Sequence, residues 1–236
     1  MESKDNITSI KHNENKQVKP QQKIYYKQIT PKIRKNNYLI PKQDKKYNKS
    51  LVVVLDVDET LIYTESNESD QEMKETKNTY KLHIRPYFTY LIESLKKINC
   101  EIIIWSAGTY DYIDNILEKT KINRKLIDYI ICRDDRWFSS YKRYKDLSQL
   151  NRDLKRTIMI ENDCRSIVVN IFNSVIIPSY IGKTMSKYHH KHNIIIENDM
   201  SLLLVADMIH QIYIKYELYK NIQVMIPLIK GTLLLL

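Results

Sequence analysis

Short β-branched strands alternating with helical segments predict an α/β fold: a central parallel sheet flanked by helices. Three observations carry this. Leu51-Val52-Val53-Val54-Leu55 and Glu101-Ile102-Ile103-Ile104-Trp105 are almost continuously apolar, as strands covered on both faces are. Further short apolar runs recur at helix-sized intervals, which implies parallel pairing through right-handed crossovers. The first run ends in Asp56-Val57-Asp58-Glu59-Thr60, which sets two carboxylates at a strand tip, where open α/β sheets place ligands.

The elements follow in order. Strand one is 51–55. Residues 64–79 are polar and acidic and read as a loop. Tyr80-Lys81-Leu82-His83-Ile84 alternates apolar and polar, as an edge or hairpin strand does. Pro86 suits the first turn of a helix running to about Lys97. Strand two is 101–105. A helix over 110–119, with Thr109 as its cap, precedes strand three, Ile127 to Cys132. Strands four and five are 157–160 and 174–177, and a closing helix spans Met200 to Tyr219. Residues 1–48, rich in Lys, Asn and Gln with little apolar periodicity, read as a basic and disordered segment. Within it Ile24-Tyr25-Tyr26 and Tyr38-Leu39-Ile40 could dock locally. The segment is expected to be dispensable for folding. Residues 49–225 form the domain, and 226–236 a C-terminal end whose Leu233–Leu236 run reads as a truncation or a helix terminus.

Composition narrows the function. The net charge of +10 is concentrated in residues 1–50, with thirteen Lys/Arg against four Asp/Glu; the rest holds 25 against 24. Such a tail is either a solvated spacer or a binder of acidic partners or nucleic acid, the spacer being favoured. Gly108, Gly182 and Gly231 are the only glycines, which excludes a P-loop and a GxGxxG loop. Cys100, Cys132 and Cys164 lack metal-type spacing and read as buried reduced thiols of an intracellular chain. Their sixth following residues are Ser106, Phe138 and Asn170, so no Cys-x5-Arg phosphatase motif exists. The start, Met1 to Asp5, lacks a secretory apolar region, and the absence of Arg before Arg34 argues against a mitochondrial presequence. No apolar stretch is long enough to span a bilayer. Tyr188-His189-His190-Lys191-His192 has no acidic or Cys companion and reads as a polar loop rather than a metal site.

Two carboxylates one residue apart repel unless a cation or proton sits between them. The pair therefore suits a divalent metal and phosphoryl chemistry, with one carboxylate attacking phosphorus and the other moving protons. LDVDETL followed by an acidic loop resembles the first motif of the haloacid dehalogenase superfamily, and most closely its FCP/SCP branch, the NLI-interacting-factor-like protein phosphatases. Ile102-Ile103-Ile104-Trp105-Ser106 resembles the second motif, Tyr144-Lys145-Asp146-Leu147-Ser148 with Arg133 upstream the branch's lysine segment, and Glu161-Asn162-Asp163 the fourth motif, where Glu161 replaces a usual Asp. The resemblance covers about residues 50–225.

That resemblance implies a Rossmannoid fold with a small hairpin or loop insertion after strand one and no large cap domain. It implies Asp56 as nucleophile and Asp58 as general acid, then base. It places Thr60, Ser106 and Lys145 around the phosphate, with Thr60 supporting the loop. Mg is expected on Asp56, the Asp58 carbonyl and Asn162, supported by Glu161 and Arg85, with Glu161 either salt-bridged to Lys145 or hydrogen-bonded to a metal-bound water. Tyr112 and Asp114 are weaker matches. The implied activity is a Mg-dependent protein serine/threonine phosphatase with an aspartyl-phosphate intermediate. Its substrate would be the RNA polymerase II C-terminal repeat or another nuclear phosphoprotein, in a nuclear or cytoplasmic setting. The alternative is a weak or inactive binding module, like relatives in mitochondrial import. No nucleic-acid site and no membrane contact are expected, and the oligomeric state is open.

Overall fold

The computed structural model describes residues 38–66, 80–139, 141–182 and 199–233. Five parallel strands form the sheet, in the order β5-β4-β1-β6-β7. They are β1 (Val52–Leu55), β4 (Glu101–Trp105), β5 (Tyr129–Ile131), β6 (Thr157–Glu161) and β7 (Ser174–Ile176). The central strand β1 pairs Leu55 with Ile104 on one side and Ile160 on the other. One residue further along, Asp56 stands level with Trp105 and Glu161, so the register alone brings three of the sequence motifs to one end of the sheet.

Side-chain alternation divides the core. Val53, Leu55, Ile102, Ile104, Ile158 and Ile160 join the cluster containing the helices: α1 (Phe88–Lys97), α2 (Tyr110–Lys119), α3 (Ser201–Tyr219) and α4 (Ile222–Leu233). Helix α1 buries Phe88, Leu91, Ile92 and Leu95, the spacing of a helix with one core face. Val52, Val54, Ile103, Trp105 and Met159 form a second cluster, closed by Leu39, Ile40, Trp137, Leu147 and Leu150 from irregular segments and short 3-10 turns.

Several boundaries differ from the sequence reading. Residues 64–66 belong to a strand, β2 (Ile62–Ser66), which pairs antiparallel with β3 (Tyr80–Ile84) as a separate two-stranded sheet. The acidic stretch from 67 to 79 lies outside the described residues, as does the histidine-rich segment 188–192. Pro86 precedes α1 instead of entering it, because Tyr87, at φ 65°, takes a left-handed conformation that breaks the helical path. Thr109 is the N-cap of α2 by position, but its side chain makes no capping bond. Cys164 is exposed and so is not a core thiol, whereas burial pushes the Cys100 and Cys132 thiols up to about 12. Helix α4 continues past residue 225 and buries Ile222, Met225 and Ile226. Among the described residues no helix is long and apolar enough to cross a membrane.

The largest correction concerns residues 38–48, assigned above to the dispensable segment. Leu39 and Ile40 are only 2% and 3% exposed. The Leu39 amide donates to the Gln149 carbonyl at 2.8 Å, and Arg152 donates to the Pro41 carbonyl at 2.6 Å while pairing with Glu101 at 2.6 Å, both side chains fully buried. Gln43 also donates to Glu101, and the Tyr47 hydroxyl donates to Asp128 at 2.6 Å. Two apolar residues in a polar context carry too weak a periodic signal to be seen as core, yet they form a strap across the second cluster. Leu39→Ala is expected to destabilise the domain by about 2–3 kcal/mol, as a buried leucine does. Urea unfolding measures it, and an unchanged midpoint would remove the strap from the core.

Candidate active site

The loop after β1 is built by its own backbone. The amides of Thr60, Leu61 and Ile62 donate to the Val57 carbonyl at 2.8–3.2 Å, and Glu59 sits in the left-handed region at φ 59°. A non-glycine residue there stores strain that the surroundings must hold. Arg85 does so. It is 1% exposed, and it donates to the carbonyls of Glu59 (3.4 Å), Thr60 (3.1 Å) and Pro178 (2.8 Å), to the Ser201 hydroxyl (2.9 Å) and to the Asp199 carboxylate (2.8 Å). The residue expected only as a support is thus the tie between the carboxylate loop, the segment after β7 and the start of α3.

Asp56 is 8% exposed, with its amide on the Ile160 carbonyl at 3.1 Å. Lys145, 2% exposed, reaches Asp56 Oδ1 at 2.5 Å and Glu161 Oε2 at 2.6 Å. Burial works against the ammonium, but the charges of Asp56 and Glu161 outweigh it and raise Lys145 above the usual lysine range. Glu161 is pushed up by burial and by Asp56, against the pull of Lys145. One cation therefore serves two buried carboxylates. Lys145 is pinned at its backbone: its amide donates to the Ser166 carbonyl at 2.8 Å, and its carbonyl accepts from the Asn170 side chain at 2.5 Å. The other Glu161 oxygen accepts the amides of Asn162 (3.0 Å) and Asp163 (3.2 Å), which fixes the turn after β6.

Asp58 faces α2. Its Oδ1 accepts a hydrogen bond from the Tyr112 hydroxyl, and its Oδ2 lies 3.5 Å from the Ser106 hydroxyl. Burial raises Asp58 and the Asp56 charge adds to it, while Tyr112, Lys145 and Ser106 pull it down; the balance lies above the ordinary carboxyl range. Ser106 also accepts the Gly108 amide at 2.9 Å. A Cβ on Gly108 would stand 2.7 Å from the Tyr112 ring, so a glycine lets the tyrosine close over the turn. Tyr112, in the first turn of α2, was only a weak sequence match. Its position three residues past the cap, facing back toward the strand tips, was the signal available.

Asn162 is held on three sides. Its Oδ1 accepts from Thr60 at 3.0 Å, and its Nδ2 donates to Glu59 (3.2 Å) and Ser179 (3.0 Å). Thr60, expected near phosphate, is fully buried with its hydroxyl committed to Asn162, so it braces the asparagine. Glu59 and Ser179 were missed, having no motif of their own. Asp114 is not part of the site and pairs with Arg124. Arg133 donates to the Ala107 carbonyl at 2.7 Å, and its amide to Gly108 at 2.9 Å, bracing the turn after β4.

Among the described residues no group of three or more His, Cys, Asp or Glu is placed to hold a metal. The oxygens that the resemblance assigns to a metal are the Asp56 carboxylate, the Asp58 carbonyl and the Asn162 amide, one of whose Oδ1 lone pairs is left by Thr60. A hard donor set of this kind, beside more carboxylates than the single lysine neutralises, fits Mg, which keeps several of its waters.

Comparison with known proteins places this geometry in a family. The profile of NLI interacting factor-like phosphatases matches residues 51–200. The TIM50 subunit of the mitochondrial import inner membrane translocase from Candida albicans is 29% identical over 147 residues, 62% of this chain and 29% of that protein. The CTD small phosphatase-like protein 2 of Dictyostelium discoideum is 29% identical over 177 residues, 72% of this chain and 30% of that protein. The match thus spans under a third of the length of either relative. Among solved structures, the fission yeast RNA polymerase II CTD phosphatase Fcp1 bound to beryllium fluoride superposes with a TM-score of 0.59 at 14% identity, over 77% of this chain and 71% of that one, a likeness of fold. The expected nuclear or cytoplasmic setting is corrected by these findings, because most of the similar named proteins are TIM50, a mitochondrial inner membrane translocase subunit. With its profile matched over residues 51–200 and its strand-tip carboxylates and lysine in one site, the chain belongs to the NLI interacting factor-like phosphatase family.

Proposed function

We propose that the chain is a divalent-metal-dependent phosphoprotein phosphatase that works through an aspartyl phosphate, in the mitochondrial setting its named relatives favour. The observation that carries the reading is the pairing of Asp56 with Lys145 at 2.5 Å, beside an Asp58 whose carboxyl is raised. One carboxylate is paired with a fixed cation, and the other is biased toward holding a proton.

In the proposed reaction an Asp56 oxygen attacks phosphorus in line with the serine or threonine oxygen of the substrate. The bond from phosphorus to that oxygen breaks, and the oxygen takes the proton of Asp58. Asp58, now ionised, removes a proton from a water that attacks the phosphorus of the aspartyl phosphate, releasing inorganic phosphate and restoring Asp56. Lys145 and the Ser106 hydroxyl hold negative charge on the phosphoryl oxygens. Mg, held by Asp56, the Asp58 carbonyl and Asn162, would supply further charge neutralisation there. The described part of the insertion after β1 is a two-stranded sheet, which favours a phosphate carried on a protein segment over an enclosed metabolite.

A second reading, a binding module, is favoured by the number of translocase subunits among the named relatives and by Glu161 in place of the usual Asp. The assay that separates the two is turnover of an aryl phosphate and of phosphoserine peptides, with Mg and with a chelator. Mg-dependent turnover is expected, abolished in Asp56→Asn because an amide cannot form an acyl phosphate. A wild type silent under all these conditions would favour the module. Asn162→Ala is expected to lose about 100-fold or more as a ligand is removed, whereas Glu161→Asp should change activity by less than about tenfold, or roughly 1.4 kcal/mol.

Tyr112→Phe tests the proton handling. The lost hydrogen bond stabilises the Asp58 carboxylate, so its removal moves Asp58 upward, and the group keeps its proton to higher pH. A carboxyl NMR titration of the metal-free protein reads this directly. A titration that stays in place or moves to lower pH would show that the phenol does not set Asp58.

A further inference from the structure

Helix α3 buries Leu202, Val205, Ala206, Met208, Ile209, Ile212 and Tyr216 against the domain, and both α1 and α4 pack on it. Its opposite face carries apolar residues among polar ones. Leu204 is 50% exposed, Ile214 59% and Leu218 78%. A solvated helix face is normally polar, and contiguous exposed apolar groups mark contact surfaces. Leu204, Asp207, Gln211, Ile214 and Leu218 recur at alternating intervals of three and four, the spacing of a helix–helix seam.

The charges on this face are arranged about its midpoint. Asp207 lies four residues before Gln211 and Lys215 four after it, while Leu204 and Leu218 lie seven to either side. Asp207 and Lys215 are both exposed, and neither has a charge partner among the described residues. A two-fold axis through Gln211 would set Leu204 against the second copy's Leu218, and Asp207 against its Lys215, each contact occurring twice. That is the condition for an isologous interface, in which one patch complements itself.

We propose that this face of α3 binds a second copy of the same chain, antiparallel and two-fold symmetric about Gln211. The apolar ends supply burial, and the paired Asp207 and Lys215 set direction and register, because a parallel arrangement would place like charges together. The same helix starts at Ser201, which receives a hydrogen bond from Arg85, so the interface braces the element that anchors the carboxylate loop.

The experiment is sedimentation velocity of the full chain between about 1 and 100 μM, a range suited to an interface of a few apolar contacts. Wild type is expected to shift from monomer to dimer across it. Asp207→Lys and Lys215→Asp should each weaken association by about tenfold, since each replaces two attractions by two repulsions, and the double variant should recover to within roughly threefold of wild type. Ile214→Glu should leave a monomer. Circular dichroism melting of each variant keeps loss of fold apart from loss of association. A wild type that stays monomeric throughout overturns the proposal. So does a dimer indifferent to the single charge reversals, or folded single variants that weaken it without rescue by the double.

Discussion

A lysine with almost no solvent, shared by two carboxylates, is the constraint around which the site is arranged. Lys145 bridges Asp56 and Glu161, which stand at the ends of neighbouring strands β1 and β6. Removing Lys145 would leave two buried carboxylates without a counter-charge, far more destabilising than the intact group is stabilising. The sheet must therefore present Asp56 and Glu161 side by side, and the irregular segment before β6 must deliver an ammonium between them. Ser166 and Asn170 hold the lysine backbone for that purpose. Stability and chemistry thus rest on the same contacts, as preorganised sites require.

Arg85 does the equivalent work one layer out. Its guanidinium is spent on three carbonyls, a hydroxyl and a carboxylate, and the planar fork suits that number of acceptors better than a lysine would. Two of those carbonyls belong to Glu59 and Thr60, so the left-handed Glu59 is held from outside the loop. Thr60 and Glu59 in turn fix Asn162. The chain of contacts runs from the first turn of α3 to the Asn162 amide.

Much of this was legible because parallel strands buried on both faces write long β-branched runs, and because Asp56, Asp58, Ser106 and Asn162 each stand at or after a strand end, while Lys145 was found through its flanking segment. Spacing and repulsion made the acid pair suit a divalent metal and phosphoryl chemistry, a reading that the later motifs strengthened. What was missed or undervalued lacked periodicity. Leu39 and Ile40, read only as able to dock locally, are two apolar residues in a polar stretch. Glu59 and Ser179 act through one hydrogen bond each, and Thr60 turned inward although a threonine beside two catalytic-type carboxylates invites a phosphate role. Strand β2 was hidden because Thr64, Glu65 and Ser66 are polar on both faces, pairing with β3 by backbone where the side chains give no signal. Setting within the cell was read from the N-terminus and proved the least secure inference, since composition there says little about destination.

The strap has a consequence for how the chain acquires its structure. Its partners are distant in sequence: Tyr47 waits for Asp128, Gln43 for Glu101, and Pro41 for Arg152. Loop closure over such separations is entropically expensive, and contacts of this kind form late on the folding route. During synthesis residues 38–47 emerge before the segments that receive them. The strap therefore closes over a sheet already assembled, and its release comes early when the domain opens. Where contacts form only after the main barrier, changes to them accelerate unfolding more than they slow refolding.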